Sequence, residues 1–160
     1  MAKVLITYYS RTQHTQHMAE AVAEGARGEE GVTLVDVRPV KDLAVRDLLT
    51  YDAIVIGSPT YYGTMAADVK KLLDDSVAFH GQLDGKVGGA FSSSANIGGG
   101  NETTLTDILH ALLIHGMVIK GSASGDHYGP VAIGDVDNRS REECRKLGHS
   151  VAALAVRLFR

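Results

Sequence analysis

The stretch "YDAIVIGSPTYYGTM" (51–65) decides how this chain folds. Its first seven residues, Tyr51 to Gly57, are almost continuously apolar and rich in β-branched side chains. That is the pattern of a parallel strand covered on both faces. The run stops at "SPTYYGT" (58–64), where Pro59 and Gly63 bracket two adjacent tyrosines in a tight loop. Directly behind it, in 66–79, Val69, Leu72, Leu73 and Val77 share one helical face. A buried strand, a loop and an amphipathic helix in that order make one unit of an α/β sheet.

The same unit recurs on both sides. "KVLITYY" (3–9), "VTLVDV" (32–37) and "KVGGAFS" (86–92) have strand character, and "GMVIKG" (116–121) is a shorter fifth run. Met18, Val22 and Ala26 recur at helical spacing in 15–27, as do Leu105, Ile108, Leu109, Leu112 and Leu113 in 103–115. A last helix carries Cys144, Leu147, Val151, Leu154 and Leu158. Alternating strands and helices imply right-handed crossovers and a doubly wound α/β sheet. No repeat or linker divides the chain, so 1–160 reads as a single domain.

The composition is that of an ordinary soluble domain: 44% hydrophobic and 22% charged, with a net charge of −3. That balance lacks the basic stripe needed for a nucleic-acid partner. No apolar stretch suggests membrane insertion. The opening "MAKVLITYY" is too short in apolar residues for a signal peptide. The single cysteine, Cys144, cannot form an internal disulfide, which fits a reducing, cytoplasmic setting. It lies on an apolar helix stripe, as a buried inert thiol does.

In a doubly wound sheet, ligands bind beyond the carboxyl ends of the strands. Three loops there look unlike ordinary turns. In "SRTQHT" (10–15), hydroxyls stand where a helix start offers free N–H groups, an arrangement suited to a phosphate. Simple N-capping would use the same residues. In the second loop, Tyr61 and Tyr62 are costly to expose together unless something flat packs on them, and one of them is expected to fold back. The third, "SSSANIGGGNETT" (92–104), carries Gly98, Gly99 and Gly100, which permit close backbone approach. Asn101 or Thr104 is expected to cap the following helix.

None of the seven histidines has the spacing of a metal site. His14 and His17 read as a solvated pair and His110 as a surface residue. No Ser-His-Asp, Cys-His or Walker-type pattern emerges.

The sequence resembles the flavodoxin superfamily and, within it, the WrbA-type NAD(P)H:quinone oxidoreductases. The match is carried by "AEAVAEGA" (19–26), "YDAIVIGSPTYYGTM" (51–65), "FSSSANIGGGNETTL" (91–105), "HGMVI" (115–119), "HYGPVAIG" (127–134) and "VAALAVRL" (151–158). The resemblance implies a flavodoxin-like three-layer sandwich with a five-stranded parallel sheet of order 2-1-3-4-5. It implies FMN as cofactor, with Ser10, Arg11, Thr12, Gln13, His14 and Thr15 around its phosphate. Pro59, Thr60, Tyr61, Tyr62 and Gly63 would run along the ring, and Ser93, Ser94, Ala95, Asn96 and the glycines at 98–100 along its other edge. His115 would lie close to the flavin and act with Tyr62 in catalysis, while His80, His127 and Tyr128 would line the substrate side. Partners would be a quinone, NAD(P)H as co-substrate and further copies of the chain, as a dimer or tetramer whose neighbouring subunit closes the site.

The sequence departs from the family in three places. Gln13 stands where the family usually has Gly, the third loop is slightly longer, and an insertion before the third strand is missing, so that 38–50 connects directly to "YDAIVIG". Two functions fit: a two-electron NAD(P)H:quinone oxidoreductase, or a single-electron carrier between proteins. A carrier is expected to show an acidic docking surface. The first two loops carry no Asp or Glu and the third only Glu102, which favours the enzyme.

Overall fold

A computed structural model describes residues Met1 to Phe159. The apolar run at 53–57 becomes the centre of a parallel sheet. Its strand, β3 (Ala53–Tyr61), lies between β1 (Ala2–Tyr8) and β5 (Val87–Ser94), and β2 (Val32–Pro39) flanks β1. A short hairpin strand, β4 (Thr64–Met65), pairs antiparallel with β3. On the other edge, β6 (Val118–Ile119) and β7 (Val131–Ile133) both pair parallel with β5. With β6 and β7 taken as one interrupted strand and β4 set aside, this is the expected 2-1-3-4-5 order.

The interruption has a local cause. "KGSASGDHYGP" (120–130) is built from Gly, Ser and Pro, which favour turns over the ladder. The chain leaves β5 after Gly88 and rejoins it at Ser92.

Helices cover both faces: α1 (His14–Arg27) and α4 (Asn138–Leu158) on one, α2 (Ala67–Asp75) and α3 (Asn101–Ile114) on the other. The period-2 alternation of β1 sends Val4 and Ile6 toward Met18, Val22 and Val151, and Leu5 toward Val69, Leu105 and Ile108. Among the described residues, no helix is long and apolar enough to cross a membrane.

Strict strand–helix alternation fails once. Between β2 and β3 the cover is two 3₁₀ turns, Val40–Asp42 and Val45–Thr50, which bury Val40, Leu43 and Leu48 against Ile54 and Ile56. Pro39 lacks an N–H and no long 3.6-residue repeat follows. The Arg38 guanidinium anchors this stretch, donating to Asp47 at 3.1 Å and to the Tyr51 hydroxyl at 2.9 Å. The 66–79 helix also ends early. After Asp75 the chain tightens into a 3₁₀ turn, Ser76–Phe79, which rotates Val77 out to 72% exposure instead of onto the buried stripe.

Candidate functional site

The carboxyl ends of β1, β3 and β5 bring the three unusual loops to one end of the sheet. In the first, Gln13 takes the N-cap position of α1 in the left-handed region, φ 71° and ψ −7°, and its side chain caps nothing. The leading N–H groups of α1 therefore have no side-chain cap from Gln13. Arg11 and Thr12 are exposed and Ser10 half-buried beside them. Thr15 is buried, and its hydroxyl lies 2.9 Å from Ser93 Oγ. His14 Nε2 sits 2.8 Å from a carboxylate oxygen of Asp135, in the loop after β7.

The second loop is a hairpin. Tyr61 pairs with Thr64, so Tyr62 and Gly63 form its two-residue turn, with φ 49° and 82°. Two positive φ angles fit a tight hairpin, but the first position ordinarily takes Asn, Asp or Gly. A bulky side chain held there is strained, and such strain concentrates at functional sites. Tyr61 folds back, 37% exposed, with its ring edge-on to Tyr9 at 6.1 Å and 78°. Burial pushes its hydroxyl above the ordinary tyrosine range, against the pull of the nearby Arg11. Tyr62 is fully exposed. Pro59 and Thr60 are half-buried, and the Ser58 hydroxyl braces the turn by accepting from Ala66 N and donating to Pro59 O, both at 2.8 Å.

The third loop leaves β5 at Ser94 and reaches α3 at Gly100, which is the N-cap (φ 103°) in place of the expected Asn101 or Thr104. Asn101 is the first helical residue and donates to Ser94 Oγ at 3.3 Å. A Cβ on Gly100 would fall 2.6 Å from Gly63 Cα, so the second and third loops meet backbone to backbone there. Ala95, Asn96, Gly98 and Gly99 are exposed, and Ile97 stands 85% exposed at the tip. Tyr62 and Ile97 are the two most exposed large apolar side chains among the described residues, and both lie on these loops. The fully exposed ring of Tyr62 and the start of α1, where Ser10 Oγ accepts from Gln16 N at 3.4 Å, fit a ligand with a flat apolar end and an anionic end.

Two expectations of position are corrected, those for His115 and His80. His115 does not lie near the flavin loops of its own chain. Helix α3 starts at the third loop and runs 14 residues, about 21 Å, before His115 ends it. Gly116 O then accepts from Gly85 N, just before β5 begins, at the opposite end of the sheet. There the His115 ring is buried, with Nε2 2.7 Å from Ser76 Oγ. Burial, helped by His80, holds its pKa below the usual histidine value. The His80 ring lies 5.9 Å away, at that same far end.

His127 and Tyr128 occupy the 120–130 excursion. Both line a crevice of about 140 Å³ between the β5 edge and α4, and both also flank Glu102 and Leu105 at the start of α3. His17 and His110 are exposed. Cys144 is buried, with its thiol pushed up to about 12 by burial.

Sequence reasoning left Asp135, Tyr9 and Ser92 out of the site residues and read Thr104 only as a helix cap. Asp135 was legible in principle, because the segment after the last strand must return to the same end of the sheet as the other loops.

The flavodoxin domain model matches residues 5–97. A flavodoxin of Aquifex aeolicus (strain VF5) is 40% identical over 160 residues, covering 95% of this chain and 86% of that protein. An NAD(P)H dehydrogenase (quinone) of Rhodopseudomonas palustris (strain HaA2) is 41% identical, covering 85% of this chain and 78% of its own length. Among solved structures, a flavodoxin, WrbA-like protein from Agrobacterium tumefaciens superposes with a TM-score of 0.82 at 29% identity, covering 97% of this chain and 98% of that one. Sequence, topology and loop placement agree that the chain belongs to the flavodoxin-domain family.

Proposed function

We propose that this protein is an FMN-dependent oxidoreductase that takes hydride from NAD(P)H and passes two electrons to a quinone. The observation that carries the reading is the pair of exposed apolar residues, Tyr62 and Ile97, on loops that meet at Gly63 and Gly100. The names of several relatives at about this similarity, NAD(P)H dehydrogenase (quinone), support it.

In this reading the start of α1, with Ser10 and Thr12, holds the FMN phosphate through N–H and hydroxyl donors. Tyr62 offers a face to the ring system, and Gly98 to Gly100 let the backbone approach its edge. Bound FMN supplies the two-electron chemistry, and the chain supplies position and access. The third loop carries Ile97 and no aromatic side chain, which leaves one ring face open to planar substrates. A homo-oligomer belongs to the same proposal: Val77, Leu113 and Ile114 are exposed around the Ser76–His115 bond, an apolar surface suited to a second copy. The lone, buried Cys144 suits a cytoplasmic setting.

The name of the Aquifex relative supports a second reading, a single-electron carrier. Anaerobic addition of NADH or NADPH to the FMN-loaded protein, followed by benzoquinone, separates the two. The enzyme reading expects the flavin to bleach within seconds and to recover its colour on adding the quinone. Flavin that neither nucleotide bleaches refutes it.

A further inference from the structure

Ser92, Ser93 and Ser94 end β5, and each hydroxyl reaches a different part of the loop cluster. Strand alternation sends Ser93 to the α1 face and Ser92 and Ser94 to the α3 face. Ser93 Oγ lies 2.9 Å from Thr15 Oγ1, in the first turn of α1. Ser92 Oγ lies 3.1 Å from Thr60 Oγ1, one residue before the tyrosine pair, and Thr60 Oγ1 is in turn 3.1 Å from Thr104 Oγ1 in the first turn of α3. Ser94 Oγ donates to Asn96 O at 3.1 Å and accepts from Asn101. Ser92, Ser93, Thr15 and Thr104 are all buried, so none of these hydroxyls has bulk water as a substitute partner.

We propose that Ser93 and Ser92 are positioning residues for opposite ends of the flavin: Ser93, through Thr15, sets the phosphate end, and Ser92, through Thr60 and Thr104, sets the ring end. This assignment rests on the FMN reading above. It departs from the role that resemblance gives Ser93, because the hydroxyl is committed to α1 and not to the ring edge. Phosphate and ring subsites then hang on adjacent residues of one central strand. Their separation is fixed by strand geometry, and the largely exposed 95–100 segment does not set it.

The two ends are told apart by comparing FMN with riboflavin, which has the ring but no phosphate. Both are titrated into wild type, Ser93→Ala and Ser92→Ala by fluorescence quenching. Losing one buried hydroxyl contact is worth about tenfold in affinity. Ser93→Ala is expected to weaken FMN about tenfold and to leave riboflavin within about twofold. Ser92→Ala is expected to weaken both ligands by the same factor. A general loss of structure moves both ligands together in both variants, so the split for Ser93 is the diagnostic. Equal effects on both ligands in Ser93→Ala, or no effect on FMN, overturn the assignment. If Ser93→Ala does not fold, Ser93→Cys keeps the volume with a weaker hydrogen-bonding group and gives the same ratio. Wild type that binds neither flavin removes the cofactor reading itself, whereas wild type that binds FMN while Ser93→Ala shows no split removes only this proposal.

Discussion

The resemblance implies Gly at position 13, and the structure shows Gln13 held in a conformation that suits Gly. Its backbone sits at φ 71°, the region that suits glycine, and its exposed side chain makes no cap hydrogen bond. Gln13→Gly therefore removes strain and no bonded group. The left-handed conformation costs a residue with a Cβ about 1–2 kcal/mol. The added freedom of glycine in the unfolded chain costs about 0.4–1 kcal/mol in the other direction. Glycine is also an accepted N-cap. The balance favours the variant by about 0.5–1 kcal/mol, a rise in Tm of roughly 1–4 °C for a domain of this length. Gln13→Val places a β-branched residue at the same φ and is expected to lower Tm by at least as much. Thermal unfolding of the apoprotein, followed by circular dichroism, measures both variants. A lower Tm for Gln13→Gly together with a neutral Gln13→Val refutes the left-handed assignment and the loop geometry built on it.

A Cβ on Gly148 would fall 1.9 Å from Val22 O and 2.9 Å from Ala26 N, both backbone atoms of α1. Gly148→Ala forces α1 and α4 apart, and the roughly 1 kcal/mol gain in helix propensity does not offset that overpacking, so calorimetry is expected to show a net loss of about 1–3 kcal/mol. The buried His115 ring predicts a pH effect on stability. Its folded pKa is below the ordinary 6.5, so as pH falls below that value the unfolded chain takes up the proton first. Stability is full above pH 6.5, declines as pH falls from there toward the folded value, and levels off beneath it. Urea midpoints measured from pH 8 to pH 5 are expected to show a weaker decline in His115→Gln than in wild type, and an unchanged slope refutes the assignment.

The features legible in the sequence were those with a strong local cause. The apolar β-branched run ending at Gly57 could only be a doubly covered strand, and it is the sheet centre. The same logic misjudged the fifth strand, because "GMVIKG" ends where a Gly- and Ser-rich excursion begins and the strand resumes at Val131. Of the tyrosine pair one ring is expected to fold back into the core, but Tyr61 packs edge-on to Tyr9 and stays 37% exposed, while Tyr62 is offered outward. That Tyr62 and Gly63 form the turn itself is a matter of hairpin register, which alternation alone does not show. His115 was misplaced for a different reason. A family motif fixes a residue's order along the chain, not which end of the sheet it reaches. A residue that ends a helix starting at the ligand loops must lie at the opposite end, and that constraint was available from the element order alone.

The charge pattern at the rim decides what kind of partner the loops suit. Four carboxylates come near them from outside the loops foreseen or at their margins, and one of them, Asp126, is paired with a permanent positive charge, that of Arg139 at 2.9 Å. Asp135 lies 2.8 Å from the His14 ring, which balances it only when the ring is protonated, and Asp107 accepts from the Thr64 hydroxyl at 2.6 Å and keeps its charge. Glu102 on the third loop and Arg11 on the first are exposed with opposite signs. A protein partner steered by charge needs a field of one sign that extends about a Debye length, roughly 8–10 Å in physiological salt. At the rim Arg11 and the Asp126–Arg139 pair interrupt the carboxylates, so the field there is not of one sign. What the rim presents instead is apolar surface at Tyr62 and Ile97, which rewards contact only at van der Waals distance. A small planar molecule that enters the site gains that contact, whereas a rim of mixed charge gives a protein partner little long-range guidance. Mixed charge and exposed apolar side chains support the proposed quinone reductase over the electron carrier.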